Sequence, residues 1–233
     1  MESFIDTNVS ISYVFLFEPH CKYAEYIFNE EYSKIYWSNN VCLEFENRVI
    51  EKRNNLLNFY NNLMVEVNNY NKTYYSITQL KDFANDFNYQ NNKEKNDVLS
   101  SVDMFWNYYS PFSDSMVIDS MIDSVRHFHD IISRCIFERK DFCENLLVNI
   151  NDFYRRTENY SELFGLLSDN GVHDEDIQII LDAYDFSKTL QTPLDFITFD
   201  RDCCTGASDS SLNFNEIKCL DYYDNNFKCL FNN

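Results

Sequence analysis

The chain has 233 residues, of which 45% are hydrophobic, and this is enough to bury one sizeable core. Only three glycines and three prolines are present, which argues against a loop-rich all-β protein and favours long helices. The 38 acidic and 19 basic residues leave a formal charge of −19, which excludes binding to nucleic-acid phosphates through a general positive field. We therefore expect a mostly helical α/β protein with a small sheet, in which any nucleic-acid contact is local.

The termini and the cysteines indicate a reduced, cytoplasmic location. Acidic Glu2 and Asp6 occupy the region where a signal peptide would carry basic residues, and no apolar run reaches the length of a membrane span. The eight cysteines are scattered, without a C-x-x-C pair or a zinc-finger spacing. We expect most of them to be small buried apolar residues.

The N-terminal segment predicts a strand followed by helices. Residues 3–9 read as a buried strand, and residues 10–17 as the following turn and helix. Apolar residues spaced by three and four predict an amphipathic helix over 20–31. A short strand is expected at 35–37, after which Ser38 is a candidate N-cap for a helix starting near Asn40.

The middle of the chain has a helical pattern. Apolar spacing supports a helix up to Val67, and residues 91–97 are the best candidate for a mobile loop. An apolar stripe between Met116 and Ile136 predicts a packed helix after Pro111, with one or two more helices over 142–167. We therefore predict a helical insertion at 54–165 within a single domain whose sheet comes from about 1–53 and 166–225.

The C-terminal part predicts two more strands. The first covers residues 196–199, and the second covers 216–220. A polar segment at 205–211 between them reads as a loop.

Carboxylates follow the first and the last of the strongly apolar strands. Asp6 ends the predicted strand near the N-terminus, and Asp200 with Asp202 ends the strand at 196–199. Parallel strands deliver such residues to one edge of a sheet, where α/β proteins place their sites. Glu44 and Asp176 lie near helix starts. Because neighbouring carboxylates repel unless a cation lies between them, the pattern favours a site for Mg²⁺ or Mn²⁺.

Each acid also has a purely structural interpretation. Aspartate at a helix start, such as Asp174 or Asp176, is commonly a cap or complements the helix dipole. Asp6 ends a strand, so we expect no gain from capping there and a cost if it is buried unpaired. Thr7 and Asn8 are either turn residues or hydrogen-bonding partners that hold Asp6 and a bound water.

Four segments, taken in order, resemble the sequence landmarks of PIN-domain ribonucleases. They are FIDTNV at 4–9, VCLE at 41–44, DIQIILDA at 176–183 and FITFDRD at 196–202. The resemblance implies four catalytic acids: Asp6, Glu44, Asp176 and Asp200. Glu46 is an alternative to Glu44, and Asp174 and Glu175 are alternatives to Asp176, whereas Asp182 does not fit the family pattern.

The family's Thr-x-Asp element falls on Thr198 and Asp200, with Asp202 as an auxiliary acid. The resemblance therefore implies that Asp6, Asp176, Asp200 and Asp202 hold Mg²⁺ or Mn²⁺. Thr7, Asn8, Thr198 and Arg201 would support the site or contact substrate. Arg201 either contacts a phosphate or neutralises the acids beside it.

The same resemblance implies a three-layer α/β/α fold with a central parallel sheet. Its implied activity is endonucleolytic cleavage of single-stranded RNA by metal-activated water, as in the toxins of toxin–antitoxin pairs. The resemblance is compatible with an antitoxin or another protein partner and with a homodimer. No membrane partner is expected. The helical insertion and the strong negative charge both depart from compact members of the family.

Two other functions compete with this one. An inactive PIN-like module would bind protein or RNA through its helical insertion. A phosphohydrolase of the haloacid dehalogenase kind also begins with an acid-tipped strand, but it needs a second aspartate where this chain has Asn8.

Overall fold

The computed structural model describes residues 2–150, 159–190, 192–210, 212, 214 and 217–219. Within these residues the protein is helix-rich α/β, with a central parallel sheet flanked by helices. The strands are β1 (Glu2–Ile5), β2 (Lys34–Trp37), β3 (Tyr74–Ser76), β4 (Ser115–Val117), β5 (Val148–Asn149), β6 (Leu194–Thr198) and β7 (Ile217–Cys219). The helices are α1 (Thr7–Val14), α2 (Cys21–Tyr26) with a π-helical turn at Ile27–Glu31, α3 (Asn39–Asn68), α4 (Ile77–Asp86), α5 (Asn92–Tyr109), α6 (Ile118–Leu146), α7 (Ser161–Asp169), α8 (Asp174–Ser187) and α9 (Arg201–Asp209).

The parallel sheet has the strand order β5-β2-β1-β6-β7 in the described part of the chain. β1 is central: Phe4 pairs with Tyr36 of β2 on one side and with Phe196 of β6 on the other. The chain first builds outward from β1 to β2 and later returns to the opposite side of β1 with β6. This reversal makes the β1/β6 boundary a switch point, and ligands of open α/β sheets bind outside the carboxyl ends of such strands.

The end of β1 differs from the prediction of a strand over 3–9. The strand stops at Ile5, and residues from Thr7 onward form α1. Asp6 is the N-cap of α1, since its side chain accepts a hydrogen bond from the Thr7 N–H. The expectation that Asp6 gains nothing from capping was therefore wrong, because a buried apolar helix directly follows the strand without an intervening loop.

Two other segments predicted as loops are helical. Residues 92–97 begin α5, and the side chain of Asn91 caps it by accepting from the Glu94 N–H. Residues 205–209 belong to α9, and Ser211 lies outside the described residues. Both errors have one cause: polar composition describes an exposed helix face as well as it describes a loop.

Several predicted elements are confirmed. The strands at 35–37 and 196–199 are β2 and β6, with bounds shifted by one or two residues. Ser38 accepts from the Val41 N–H at 3.4 Å at the start of α3. β7 covers the central residues of the strand expected at 216–220, whose first and last residues lie outside the described part.

The chain divides into two compact units. The first comprises Met1–Arg48 and Asp141–Asn233, and it contains the parallel sheet. The second comprises Val49–Lys140. The sequence predicted a helical insertion at 54–165. The second unit starts five residues before residue 54 and ends well before residue 165.

The second unit has an aromatic core. Tyr60, Phe105 and Phe128 are buried and pack with ring centroids 5.2–6.3 Å apart. The Tyr60 hydroxyl shares a hydrogen bond of 3.0 Å with Ser101 Oγ, which satisfies the one polar atom of the buried ring. The apolar stripes of α3 and α6 therefore pack in this core, as Tyr60 in α3 and Phe128 in α6 show.

The cysteines agree only partly with the expectation. Cys143, Cys203 and Cys204 are buried, as predicted for small apolar residues. Cys21 is disulfide-bonded, so the prediction of reduced cysteines is wrong at this residue. In the described part of the chain, no helix combines the length and the apolar character needed to cross a bilayer.

Two helical glycines give a matched test of packing in the first unit. A Cβ added at Gly206 in α9 would lie 2.0 Å from Cγ2 of Val172, whereas one added at Gly165 in α7 would meet nothing within 4 Å. We predict that Gly206→Ala lowers the free energy of unfolding by about 1–3 kcal/mol through overpacking. Gly165→Ala should raise it by roughly 0.5–1 kcal/mol through helix propensity. Urea unfolding of both variants checks this, and a stabilising Gly206→Ala would contradict it.

Candidate functional site

The carboxylate of Asp6 lies at the carboxyl end of β1 and is only 3% exposed. Its Oδ1 accepts a hydrogen bond from the Thr7 N–H at 2.5 Å. Its Oδ2 accepts from Asn8 Nδ2 at 2.7 Å and from Thr198 Oγ1 at 2.8 Å. Three donors therefore fix the orientation of the group and favour its ionised form.

Asn8 and Thr198 tie the ends of β1 and β6 together. The Oδ1 of Asn8 accepts from the Phe199 N–H at 2.9 Å, and its Nδ2 also lies 3.2 Å from Thr198 Oγ1. Thr198 Oγ1 in turn accepts from the Asp200 N–H at 3.0 Å. The two side chains thus set the position of Asp6 relative to the backbone that carries Asp200.

Glu44 reaches the same place from α3. Its Oε2 accepts from Thr7 Oγ1 at 2.6 Å, and its Oε1 forms an ion pair with Arg48 Nη2 at 2.6 Å. Glu46 is two residues further along the helix and therefore projects from a different face. The structure places Glu44, of the two candidates, beside Asp6.

Asp200 is the N-cap of α9. Its Oδ1 accepts from the backbone N–H groups of Asp202 at 2.8 Å and Cys203 at 3.0 Å. Asp202 and Arg201 are both exposed, and Asp202 meets Asp200 through its backbone N–H. The predicted role of Asp202 as a metal ligand has no support in this contact.

Burial raises the pKa of Asp6 to about 7, from an ordinary value of 3.8. The hydrogen bond from Thr198 opposes this shift, whereas the negative charges of Asp176 and Glu44 add to it. The site therefore holds a buried carboxylate whose ionised form is destabilised by its acidic neighbours.

Asp176 shows the same effect from the start of α8. Burial, together with the charges of Asp200 and Glu44, raises the pKa of Asp176 to about 6, while His173 and Arg48 act in the opposite direction. Asp6, Glu44, Asp176 and Asp200 thus act on one another electrostatically, although they come from four separate segments. We call these four residues the acid cluster.

The alternative acids lie elsewhere. Asp174 and Glu175 are exposed in the first turn of α8. Asp182 is fully buried, and its carboxylate accepts from Asn40 Nδ2 at 2.9 Å.

Three residues near the acid cluster were not predicted from the sequence. Arg48 and His173 both act to lower the pKa of Asp176, and the Cys203 thiol is buried against the cluster. Burial and the charges of Asp6 and Asp176 raise the pKa of the Cys203 thiol well above its usual range. The one available signal was the spacing of Arg48, which lies one helical turn after Glu44 and so can pair with it.

The cluster has the donor chemistry of a divalent-cation site but not a preformed geometry. Carboxylate oxygens are the ligands that Mg²⁺ and Mn²⁺ prefer, and a bound cation would offset the repulsion among them. Among the described residues, however, no three His, Cys, Asp or Glu side chains are grouped so that they could hold a metal ion. The hydrogen bonds above explain this, because the oxygens of Asp6, Glu44 and Asp200 are turned toward protein donors.

Comparison with protein-family models, with curated proteins and with solved structures gives no match to this chain.

The raised pKa values predict how stability changes with pH when EDTA removes divalent cations. Between pH 4 and 7 the folded state binds more protons than the unfolded state, so the free energy of unfolding falls as pH rises. Asp176→Asn removes one of these charges and should stabilise the protein at pH 8 by about 1 kcal/mol, after discounting for solvent screening. At pH 4 it should have little effect.

Asp174→Asn is the matched control, since it removes an exposed charge from the same helical turn. At pH 8 it should cost only the favourable dipole interaction, roughly 0.3–1 kcal/mol. Denaturant unfolding at the two pH values measures the difference. Equal effects of the two variants at pH 8 would contradict repulsion within the acid cluster.

Proposed function

We propose that this protein is a metal-dependent endoribonuclease of the PIN type that hydrolyses phosphodiester bonds of single-stranded RNA. The observation that carries the proposal is the convergence of Asp6, Glu44, Asp176 and Asp200 at the carboxyl edge of the sheet. The position of these four acids also supports the proposal, because β1 and β6 flank the switch point of the strand order.

Asp6, Asp176 and Asp200 are the residues that would hold Mg²⁺ or Mn²⁺. When bound, the cation supplies positive charge at the scissile phosphate and activates water for the displacement. Thr7, Asn8 and Thr198 hold Asp6 in one orientation at the end of β1.

Glu44 has a different role in this proposal. Thr7 and Arg48 hold its carboxylate from two sides. It orients the attacking water and takes up the water's proton as the new phosphorus–oxygen bond forms; the bond to the leaving oxygen breaks, and that oxygen takes a proton from solvent. Arg48 pairs with Glu44 and adds a positive charge near the substrate phosphate.

A second candidate function is a non-catalytic PIN-like module that binds protein or RNA. The observation that favours it is the absence, among the described residues, of a grouped metal-ligand set. A haloacid dehalogenase-like phosphohydrolase receives no support, because the second acid that it needs is replaced by Asn8, whose amide is already engaged with Asp6.

Cleavage of a labelled single-stranded RNA tests the nuclease proposal. We expect cutting with Mg²⁺ or Mn²⁺ and none with EDTA. Asp6→Asn and Asp200→Asn should each reduce the rate by more than about 100-fold, which exceeds the loss expected for a supporting hydrogen bond. Glu44→Gln should also be impaired, whereas Glu46→Gln is the matched control and should cut like wild type. Cutting by a folded Asp6→Asn protein at the wild-type rate would refute the proposal.

Metal binding can be measured without turnover. Mn²⁺ at 100 times its dissociation constant should stabilise the wild type by about 2.7 kcal/mol in thermal or urea unfolding. Because the cation favours ionised Asp6, its affinity should rise between pH 5.5 and 7.5, with proton release in calorimetry. Asp200→Asn should abolish the stabilisation. Absence of any Mn²⁺ effect at millimolar concentration would favour the non-catalytic module.

A further inference from the structure

A row of aromatic rings begins beside the acid cluster. The ring of Phe199 lies 4.8 Å from that of His20, centroid to centroid, with 40° between the planes. Tyr23 follows at 6.5 Å from Phe199, and Tyr26 lies 6.1 Å from Tyr23. We call these four residues the aromatic row.

The row is fixed to the acid cluster at one end and reaches solvent at the other. Phe199 precedes Asp200 directly, and its backbone N–H donates to Asn8, which also holds Asp6. His20 and Tyr23 are half-buried, and Tyr26 is 46% exposed. A strand of nucleic acid leaving the acid cluster would therefore find aromatic side chains along this path.

The charge of the protein decides which contacts can supply affinity for such a ligand. At −19, the chain offers no general attraction to phosphates. Aromatic rings bind bases through stacking, which does not depend on charge and requires that the bases be unpaired. Duplex RNA keeps its bases stacked on one another and presents mainly phosphates and hydroxyls, which this surface does not favour.

We propose that the aromatic row binds the unpaired bases of the RNA that is cut at the acid cluster, so that stacking, rather than phosphate attraction, selects single-stranded substrate. This inference rests on the proposed function and deepens it, since it names the part of the substrate that is recognised. The rings of His20 and Tyr23 are the stacking faces nearest the site. Phe199 anchors them, and Tyr26 extends the surface outward.

Fluorescence anisotropy with a labelled RNA oligonucleotide tests the inference, with Ca²⁺ in place of Mg²⁺ so that binding is measured on intact RNA. Three probes are compared: the single strand, the same strand carrying abasic sites, and its duplex. We expect wild type to bind the base-bearing single strand at least tenfold more tightly than either other probe. Its affinity should also fall only weakly with salt concentration, because few phosphate contacts contribute.

Ring removal should weaken binding of the single strand by about tenfold for each of His20→Ala and Tyr23→Ala. His20→Phe and Tyr23→Phe keep a stacking face and should bind like wild type. Tyr108→Ala is the matched control, since Tyr108 is also 46% exposed but belongs to the second unit. Thermal unfolding of each variant verifies that it is folded.

Three results would overturn the inference: no binding of the single strand by wild type, equal binding of the abasic strand, or alanine variants that bind like wild type. The cleavage assay separates this outcome from the nuclease proposal. Metal-dependent cutting combined with binding that does not depend on the rings would refute the role of the aromatic row and leave the nuclease proposal intact. Ring-dependent binding without cutting under Mg²⁺ or Mn²⁺ would count against the nuclease and leave the binding site in place.

Discussion

The buried carboxylate of Asp6 is the group around which the carboxyl edge of the parallel sheet is organised in the first unit. The carboxylate caps α1 and accepts hydrogen bonds from the side chains of Asn8 and Thr198. The backbone N–H of Asp6 donates to the carbonyl of Ile197 in β6 at 3.0 Å. A carboxylate that is almost fully buried requires such donors, because an unpaired charge in that position would cost several kcal/mol. Of the hydrogen bonds that satisfy the Asp6 carboxylate, the one from Thr198 also links the end of β1 to β6, in addition to the backbone pairing of the two strands.

The sheet topology explains why residues far apart in sequence meet at Asp6. β1 and β6 are adjacent and parallel, so residues after both strands emerge at one edge. α3 and α8 then begin near that edge and bring Glu44 and Asp176 to it. Helix N-termini favour negative charge, which partly offsets the repulsion among the acids. The fold thus assembles an acidic site from four short segments.

Much of this arrangement could be predicted from the sequence, and the reason is visible in particular residues. The apolar runs before Asp6 and Asp200 predicted parallel strands delivering acids to one edge, and the structure has β1 and β6 as neighbours there. Ser38 predicted the start of α3, because an N-cap is a local signal. Glu44 accepts from Thr7, the residue after Asp6, while its neighbour Glu46 projects from another face of α3.

What the sequence could not predict depends on contacts between distant residues or on the geometry of one turn. The switch from strand to helix at Asp6 occurs within a single residue, which apolar periodicity cannot resolve. The burial of Cys203 against the acids depends on the angle at which α9 leaves β6. The disulfide of Cys21 was missed because scattered cysteines carry no pairing signal.

The energetics of the acid cluster argue for a ligand of positive charge. Capping of α1 or α9 requires only a hydrogen-bond acceptor, and Asn or Ser would serve nearly as well as Asp without adding charge. Instead, burial and mutual repulsion raise the pKa of Asp6 to about 7 and that of Asp176 to about 6, so ionisation of the cluster at neutral pH opposes folding. Local destabilisation of this kind is typical of functional sites, where binding of a ligand or substrate restores stability. In a chain already at −19, a cation held by the cluster would relieve this repulsion, and it would also let a phosphate approach. For the proposed nuclease, the charge that argues against general RNA binding leaves local binding through a cation and aromatic stacking as the proposed route.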